Sequence, residues 1–362
     1  MGDQIMIDLA EMAERCRNAR DLFLSNARLA KWEIYSIPHP LQGPCEIDLF
    51  TDVAYCGNIE STNLLMVSSG THGIEGYLGS EIQSRLLADD VMAVGRADRH
   101  AVMVHAVNPY GFAWHRRVNE DNVDLNRNFV DFDLPLAVNE GYEEFRSILN
   151  PVEWDDEYEV KLKVEAARAL ERMGLGALFK AVSGGQYEHP SGVQYGGNAP
   201  TWSRRTMEDV WVRAMAGKHR VTQIDLHTGL GSPGEGVLMT YGTEEQSRIK
   251  RARAMWQEIL VSPPADTGDV LAKGVLGPHL ESLASGRDVL AVVLEYGTKD
   301  PVEVLCAIVA DNWLHHHAEV DSERGAQIKQ LMLDAFYLDD IPLREKAYRR
   351  AKEVVIAADA AG

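Results

Sequence analysis

Hydrophobic and polar positions along this chain fall into alternating blocks. Residues 8 to 30 place Leu9, Met12, Cys16, Ala19 and Phe23 at alternating spacings of three and four, which predicts an amphipathic helix. Ile34 to Pro40 and Glu46 to Ala54 read as strands separated by Pro- and Gly-rich turns. The apolar runs Leu64 to Val67, Ala101 to Val107, Val221 to Leu226 and Asp288 to Leu294 read as buried strands. Tyr77 to Leu87 reads as a helix, as does most of 140 to 178 with Pro151 as a breaker, and Met207 to Lys218 follows suit. A further strand, Gly236 to Tyr241, is followed by a helix through Leu260 and a Pro- and Gly-rich loop to about residue 279. Three helical segments close the pattern: Val302 to His317, Ser322 to Leu338 and Leu343 to Ala358. Strands alternating with helices predict an α/β protein with a largely parallel sheet. The stretch 183 to 203, dense in Gly, Pro, Ser and Tyr, reads either as a mobile lid or as a plain connector.

Each of the four buried runs stops at a chemically conspicuous group. After the first come His72 and Glu75, bracketed by Gly73 and Gly76. Imidazole and carboxylate at that spacing suit one small cation such as Zn2+. The same pair also suits a solvated helix start, where the dipole favours Glu. The second run opens into NPYGFAWHRRVNEDNVDLNRNF, which gathers Arg116, Arg117, Asn119, Asn126, Arg127 and Asn128 among apolar Trp114, Val118, Val123, Leu125 and Phe129. Arginines packed down in this way suit bidentate carboxylate binding; a solvated, Asn-rich loop is the plainer reading. The third run ends at His227, which Asp225 is placed to orient. The fourth ends at Glu295, where desolvation would raise the pKa toward that of a general base; a salt-bridged or capping Glu is the alternative. In a mostly parallel sheet ligands sit beyond the carboxyl ends of the strands. All four motifs would then meet on one edge, and His72, Glu75 and His227 would complete the two-His, one-carboxylate set of catalytic zinc. The run His315-His316-His317 fans around its helix and reads as surface.

Composition narrows the classes. With 362 residues the chain is long enough for a large core, as one α/β domain or two smaller ones. A formal net charge of -19 without a basic block argues against nucleic-acid and anionic-membrane partners. Cys16, Cys45, Cys56 and Cys306 are scattered, which suggests reduced thiols and not a disulfide frame. There is no apolar run of membrane-spanning length, and acids stand near the N-terminus where a signal peptide would carry basic and apolar residues. A cytoplasmic location is expected; oligomeric state is not legible.

The motifs HGIEG, NPYGFAWHRRVNEDNVDLNRNF, DLHTG and the strand-end Glu295 together resemble the M14 zinc carboxypeptidases, and within them the bacterial DUF2817 branch. The resemblance runs from about residue 60 to 300. It implies a three-layer α/β/α sandwich around a mixed, about eight-stranded sheet, one domain over 1–362 with the terminal helices packed on it, and one zinc per chain. It implies His72, Glu75 and His227 as metal ligands and Glu295 as general base and acid. Arg117, in an RxN element with Asn119, corresponds to the oxyanion-stabilising arginine. Asn126 and Arg127 correspond to the pair gripping a free substrate carboxylate, and Asn119 is grouped with them as substrate-binding. The substrate expected is a small peptide or an acyl amino acid. In one respect the chain departs from the peptidases, which carry a tyrosine about twenty residues before the catalytic glutamate. Here Gly242 to Leu294 contains none, and Tyr241, Tyr187, Tyr195 and Tyr296 are the substitutes to consider. That departure brings the related N-acyl-amino-acid deacylases, of the aspartoacylase and succinylglutamate desuccinylase types, into view. A non-catalytic zinc- or carboxylate-binding protein is a third reading, and the presence of Glu295 counts against it.

Overall fold

The computed structural model describes residues 7–92, 98–262, 272–284 and 286–361. In chain order the elements are α1 (Leu9–Leu29), β1 (Glu33–Gln42), β2 (Asp48–Gly57), β3 (Asn63–Ser69), α2 (Gly76–Ala88), β4 (His100–His105), α3 (Pro109–Ala113), α4 (Glu140–Leu149), α5 (Asp156–Met173), α6 (Leu175–Ser183) and α7 (Trp202–Ala214). They continue with β5 (Arg220–Pro233), β6 (Gly236–Tyr241), α8 (Ser247–Trp256), β7 (Leu260–Ser262), α9 (Leu276–Leu283), β8 (Asp288–Gly297), α10 (Pro301–His317), α11 (Glu323–Phe336) and α12 (Ile341–Ala360). Side chains that compete with helical backbone in the middle of a helix cap it at the start. Thus Asp8, Thr201, Ser322 and Asp340 each accept an N–H from the first turn of α1, α7, α11 and α12.

All eight strands form one sheet in the order β1-β2-β4-β3-β5-β8-β6-β7. The central strands β4, β3, β5 and β8 run parallel, β1 and β2 pair antiparallel with their neighbours, and β6 runs antiparallel to β8. Pro38 and Pro40, which cannot donate to a ladder, lie in the edge strand β1, where proline is tolerated. Period-two alternation sorts the central strands between two cores. Leu65, Val67, Ile224, Leu226, Leu290, Val292 and Leu294 pack with α1, α2, α8 and α12. Leu64, Met66, Val221, Val289 and Ala291 pack with α7 and α9. This is the expected α/β/α sandwich.

Two elements depart from the sequence reading. Leu260–Ser262 is a short strand paired parallel with β6, and α9 begins at Leu276 within the stretch read as loop. Three residues at a sheet edge are too short to show a period, and α9 has only eight residues to display one. The remainder of that loop, 263–271, lies outside the described residues. Among the described residues no helix is long and apolar enough to cross a membrane.

The long loop after β4 is tied to the helical layer by buried charge. Asp311 of α10 accepts from Arg116 Nε at 3.0 Å and from Lys329 Nζ of α11 at 2.6 Å. Arg116 Nη2 also donates to Asn122 Oδ1 at 2.9 Å, and Asn122 Nδ2 donates to Asn312 Oδ1 at 2.9 Å. Burial alone would raise the Asp311 pKa; Lys329 and Arg116 outweigh it and hold it below the ordinary value. A depressed folded pKa means this stabilisation is present above the unfolded value and fades as pH falls through the folded one. Removing the carboxylate leaves two buried cations unpaired, so Asp311→Ala is expected to lower unfolding stability by about 3–5 kcal/mol in urea denaturation near neutral pH.

Candidate metal centre

β3 ends at Ser69, and the turn that follows carries His72 and Glu75 before α2 begins. This turn sits directly on α3: a Cβ on Gly73 would lie 2.0 Å from the backbone of Gly111. Its amides are held from outside, Gly73 N donating to Arg117 O at 3.2 Å and Ile74 N to Arg116 O at 2.9 Å. Glycine is therefore needed here for close approach. His227 stands in β5 directly across from Glu295 in β8, the two being register partners in the parallel pair. The shared carboxyl edge thus brings His72, Glu75, His227 and Glu295 together.

Glu75 lies between the two imidazoles. Its Oε1 is 2.8 Å from His72 Nδ1 and its Oε2 is 2.9 Å from His227 Nδ1. Oε2 also accepts from Thr228 N at 3.1 Å. The rings meet edge to face, centroids 4.9 Å apart, and all three residues are buried. The far nitrogens face carboxylates: His72 Nε2 lies 3.1 Å from Asp124 Oδ1, and His227 Nε2 lies 2.7 Å from Asp225 Oδ2. Asp225 accepts from the Ser68 hydroxyl at 2.6 Å and from the Thr71 hydroxyl at 2.9 and 3.1 Å. Asp124 accepts from Asn126 N at 3.0 Å and from the Arg117 guanidinium.

This donor set fits a cation. Each Nε2–H is directed at a carboxylate that can only accept, which leaves Nδ1 lone pairs pointing at the oxygens of Glu75. Acceptors facing acceptors in a buried site require a positive charge among them, whether a proton or a metal ion. The electrostatics agree. Burial opposes charge on His227, yet Asp225 and Glu75 hold its pKa well above the ordinary value. Burial would also raise Glu75, but His72 and His227 hold it low. The ligand atoms of His72, Glu75 and His227 lie within 4.8 Å of one another, and imidazole with carboxylate suits zinc.

Around this cluster stand the other predicted residues. Glu295 is buried and accepts from Leu230 N at 3.2 Å. Burial first, and then the charge of Glu75, raise its pKa to about 8. Arg117 Nε approaches Glu75 Oε1 at 3.3 Å while its Nη1 holds Asp124. Arg127 spends Nε and Nη2 on Ser183 O, and Nη1 on Asn126 O at 2.9 Å. One N–H on each terminal nitrogen then has no protein partner among the described residues. Asn126 Oδ1 accepts from Leu276 N at 2.8 Å, and its amide N–H group has no protein partner among the described residues. Asn119 is turned inward: its Oδ1 accepts from Val123 N at 2.8 Å and Asp121 N at 3.1 Å, and only Nδ2 has no protein partner among the described residues.

The stretch 184–201 is bonded onto the same loop. Asp124 N donates to Tyr195 O at 2.7 Å, Asn128 Nδ2 to Gly196 O at 2.8 Å, and Tyr187 hydroxyl to Arg127 O at 2.7 Å. Of the tyrosines considered, Tyr296 faces the opposite core, its hydroxyl bonded to Ala347 O. Tyr241 shares the face of Glu295, because β6 pairs Val237 with Glu295 and alternates by two. Burial raises its pKa, with Arg127 opposing and Glu295 adding to the rise. Asp124, Ser68, Thr71 and Gln223 were not singled out from the sequence; only Gln223 carried a signal, the alternation Gln223, Asp225, His227 along β5.

A buried His/Glu/His cluster on the carboxyl edge of a mixed sheet in an α/β/α sandwich defines the carboxypeptidase-like fold class. The chain belongs to the DUF2817 family, described as "Protein of unknown function", whose profile matches residues 13–350. No curated protein sequence matches it. Among solved structures, thrombin activatable fibrinolysis inhibitor is 10% identical and superposes with a TM-score of 0.50 over 98% of this chain and 74% of its own. Carboxypeptidase A from Helicoverpa armigera is 12% identical, with a TM-score of 0.47 over 93% of this chain and 73% of that one. A succinylglutamate desuccinylase from Silicibacter sp. TM1040 is 13% identical, with a TM-score of 0.39 over 78% and 67%.

Asp124 faces His72 Nε2 and anchors Arg117, so its loss should be felt at the cluster. Asp124→Asn is expected to weaken zinc binding about 10- to 100-fold, read by competition with a chelator.

Proposed function

We propose that this chain is a zinc-dependent amide hydrolase of carboxypeptidase type. It would release a C-terminal residue from a peptide or peptide-like small molecule, acting as one catalytic domain in the cytoplasm. The observation that carries this reading is Glu295, buried and in register with His227 beside the His72/Glu75/His227 cluster. One zinc held by those three side chains would supply Lewis-acid polarisation of the scissile carbonyl and a more acidic water. Glu295, in its ionised form, would take a proton from the attacking water and deliver it to the leaving amine. Arg117 holds the negative charge that develops on the carbonyl oxygen. Arg127, with the Asn126 amide, grips the substrate carboxylate and fixes its orientation. Asn119 contributes at most its Nδ2 to substrate, since its oxygen holds the turn. Tyr241, on the face of Glu295, is the tyrosine best placed to stand over the substrate.

The second reading is an N-acyl-amino-acid deacylase using the same centre. It is supported by the lack of tyrosine between Gly242 and Leu294 and by the bonding of 184–201 onto the Arg127 segment, which walls that side of the cleft.

Elemental analysis is expected to find one zinc per chain, and His227→Ala to lose both metal and activity. Glu295→Gln should keep the metal while turnover falls at least about 100-fold; near-native turnover in that variant would refute the mechanism. Acyl dipeptides with varied C-terminal residues, assayed beside N-acetyl and N-succinyl amino acids, separate the readings. Chelator-sensitive cleavage of the dipeptides supports the peptidase, and activity confined to the acyl amino acids supports the deacylase.

A further inference from the structure

Along β5 the residues Gln223, Asp225 and His227 share the face covered by α7, while Ile224 and Leu226 enter the opposite core. Three polar side chains in succession on the face of a fully buried central strand are costly unless each is bonded. Here they form one continuous line. Trp211 Nε1 of α7 donates to Gln223 Oε1 at 2.7 Å, and Gln223 Nε2 donates to Ser68 Oγ at 3.0 Å. The Ser68 hydroxyl donates to Asp225 Oδ1 at 2.6 Å, and Asp225 Oδ2 lies 2.7 Å from His227 Nε2. No residue in the line is more than 2% exposed.

The line has a direction, and its far end sets it. An indole N–H can only donate, so Gln223 must present its oxygen to Trp211 and its N–H group to Ser68. Ser68, receiving that N–H, turns its own proton to Asp225. Asp225 is then an acceptor on every side, Thr71 included, and His227 must carry its proton on Nε2. Nδ1 is the nitrogen left to face Glu75 and a cation.

We propose that Trp211, Gln223 and Ser68 are positioning residues of the metal centre: by hydrogen-bond polarity they orient Asp225 and thereby fix which nitrogen of His227 meets the metal. The metal readout rests on the zinc reading above; the hydrogen-bond readout does not. Without the indole N–H the Gln223 amide is free to turn over. Ser68 can then donate to Gln223 in place of Asp225, and the carboxylate loses a fixed partner.

Trp211→Phe keeps the ring and removes the donor; Ser68→Ala removes the middle link with a smaller loss of volume. Trp256→Phe is the control, since that indole donates to Val354 O in the opposite core. Two quantities would be measured on each: the Zn2+ dissociation constant by chelator competition, and the His227 Nε2–H proton resonance with selectively 15N-labelled histidine. The resonance would be recorded in both metal-free and zinc-loaded protein, assigned by its absence in His227→Asn. Trp211→Phe and Ser68→Ala should displace the resonance in the metal-free protein and raise the zinc constant about tenfold, with the control unchanged in both. A resonance at the parental position in a natively folded Trp211→Phe or Ser68→Ala overturns the proposal, as does an equal rise in the control. If the parent binds no zinc, the function proposed above fails, while the metal-free resonance still decides whether the line orders His227.

Discussion

Two imidazole nitrogens point at the two oxygens of one buried carboxylate, and that contact sets the terms for its surroundings. Glu75, His72 and His227 offer only lone pairs to one another once their other nitrogens are committed to Asp124 and Asp225. A cation answers this in a buried site, because a proton can satisfy only one such pair at a time. The surrounding architecture is consistent with that demand. Asp124 and Asp225 are held as acceptors by Arg117, Asn126, Ser68 and Thr71, and the Arg117 guanidinium also touches Glu75. Glu295 stands beside this group, and burial together with the charge of Glu75 favours its protonated form.

The scaffold makes this concentration of charge possible. Four parallel strands end at one edge, so residues distant in sequence arrive without long excursions of chain. The loop after β4 lacks extended regular structure and needs other support. It obtains this from the buried Arg116–Asp311–Lys329 group, from Asn122 bonded to Asn312, and from the backbone of 184–201. The Ser183 carbonyl at the end of α6 occupies the Nε/Nη2 edge of Arg127, and Nη1 donates to Asn126 O.

Much of this was legible before folding. Apolar runs shortly before His72 and up to Glu295 mark two central strands, because burial on both faces removes polar residues until the edge is reached, while the strand carrying His227 alternates polar and apolar residues. The long helices showed their period and were placed within a few residues. The strand β7 and helix α9 were not, since three and eight residues carry too little pattern. Asp124 escaped notice because an Asp between Val123 and Leu125 looks like ordinary turn chemistry. Asn119 had been grouped with substrate-binding residues, whereas the fold spends its oxygen on two backbone amides of its own turn.

By itself, the sequence determined the layered α/β class and marked His72, Glu75 and His227 as candidate ligands, because hydrophobic period and residue chemistry are local properties. It also contained the alternation Gln223, Asp225, His227 against Ile224 and Leu226. Tertiary structure alone decided which partner each polar atom takes: Ser68 reaches Asp225 across 157 positions, and Thr228 N reaches Glu75 across 153. It decided that Tyr296 faces away from the cleft while Tyr241 shares the face of Glu295. The reason is geometric. A residue's type states what it can bond, but strand order and register state what is near enough to be bonded.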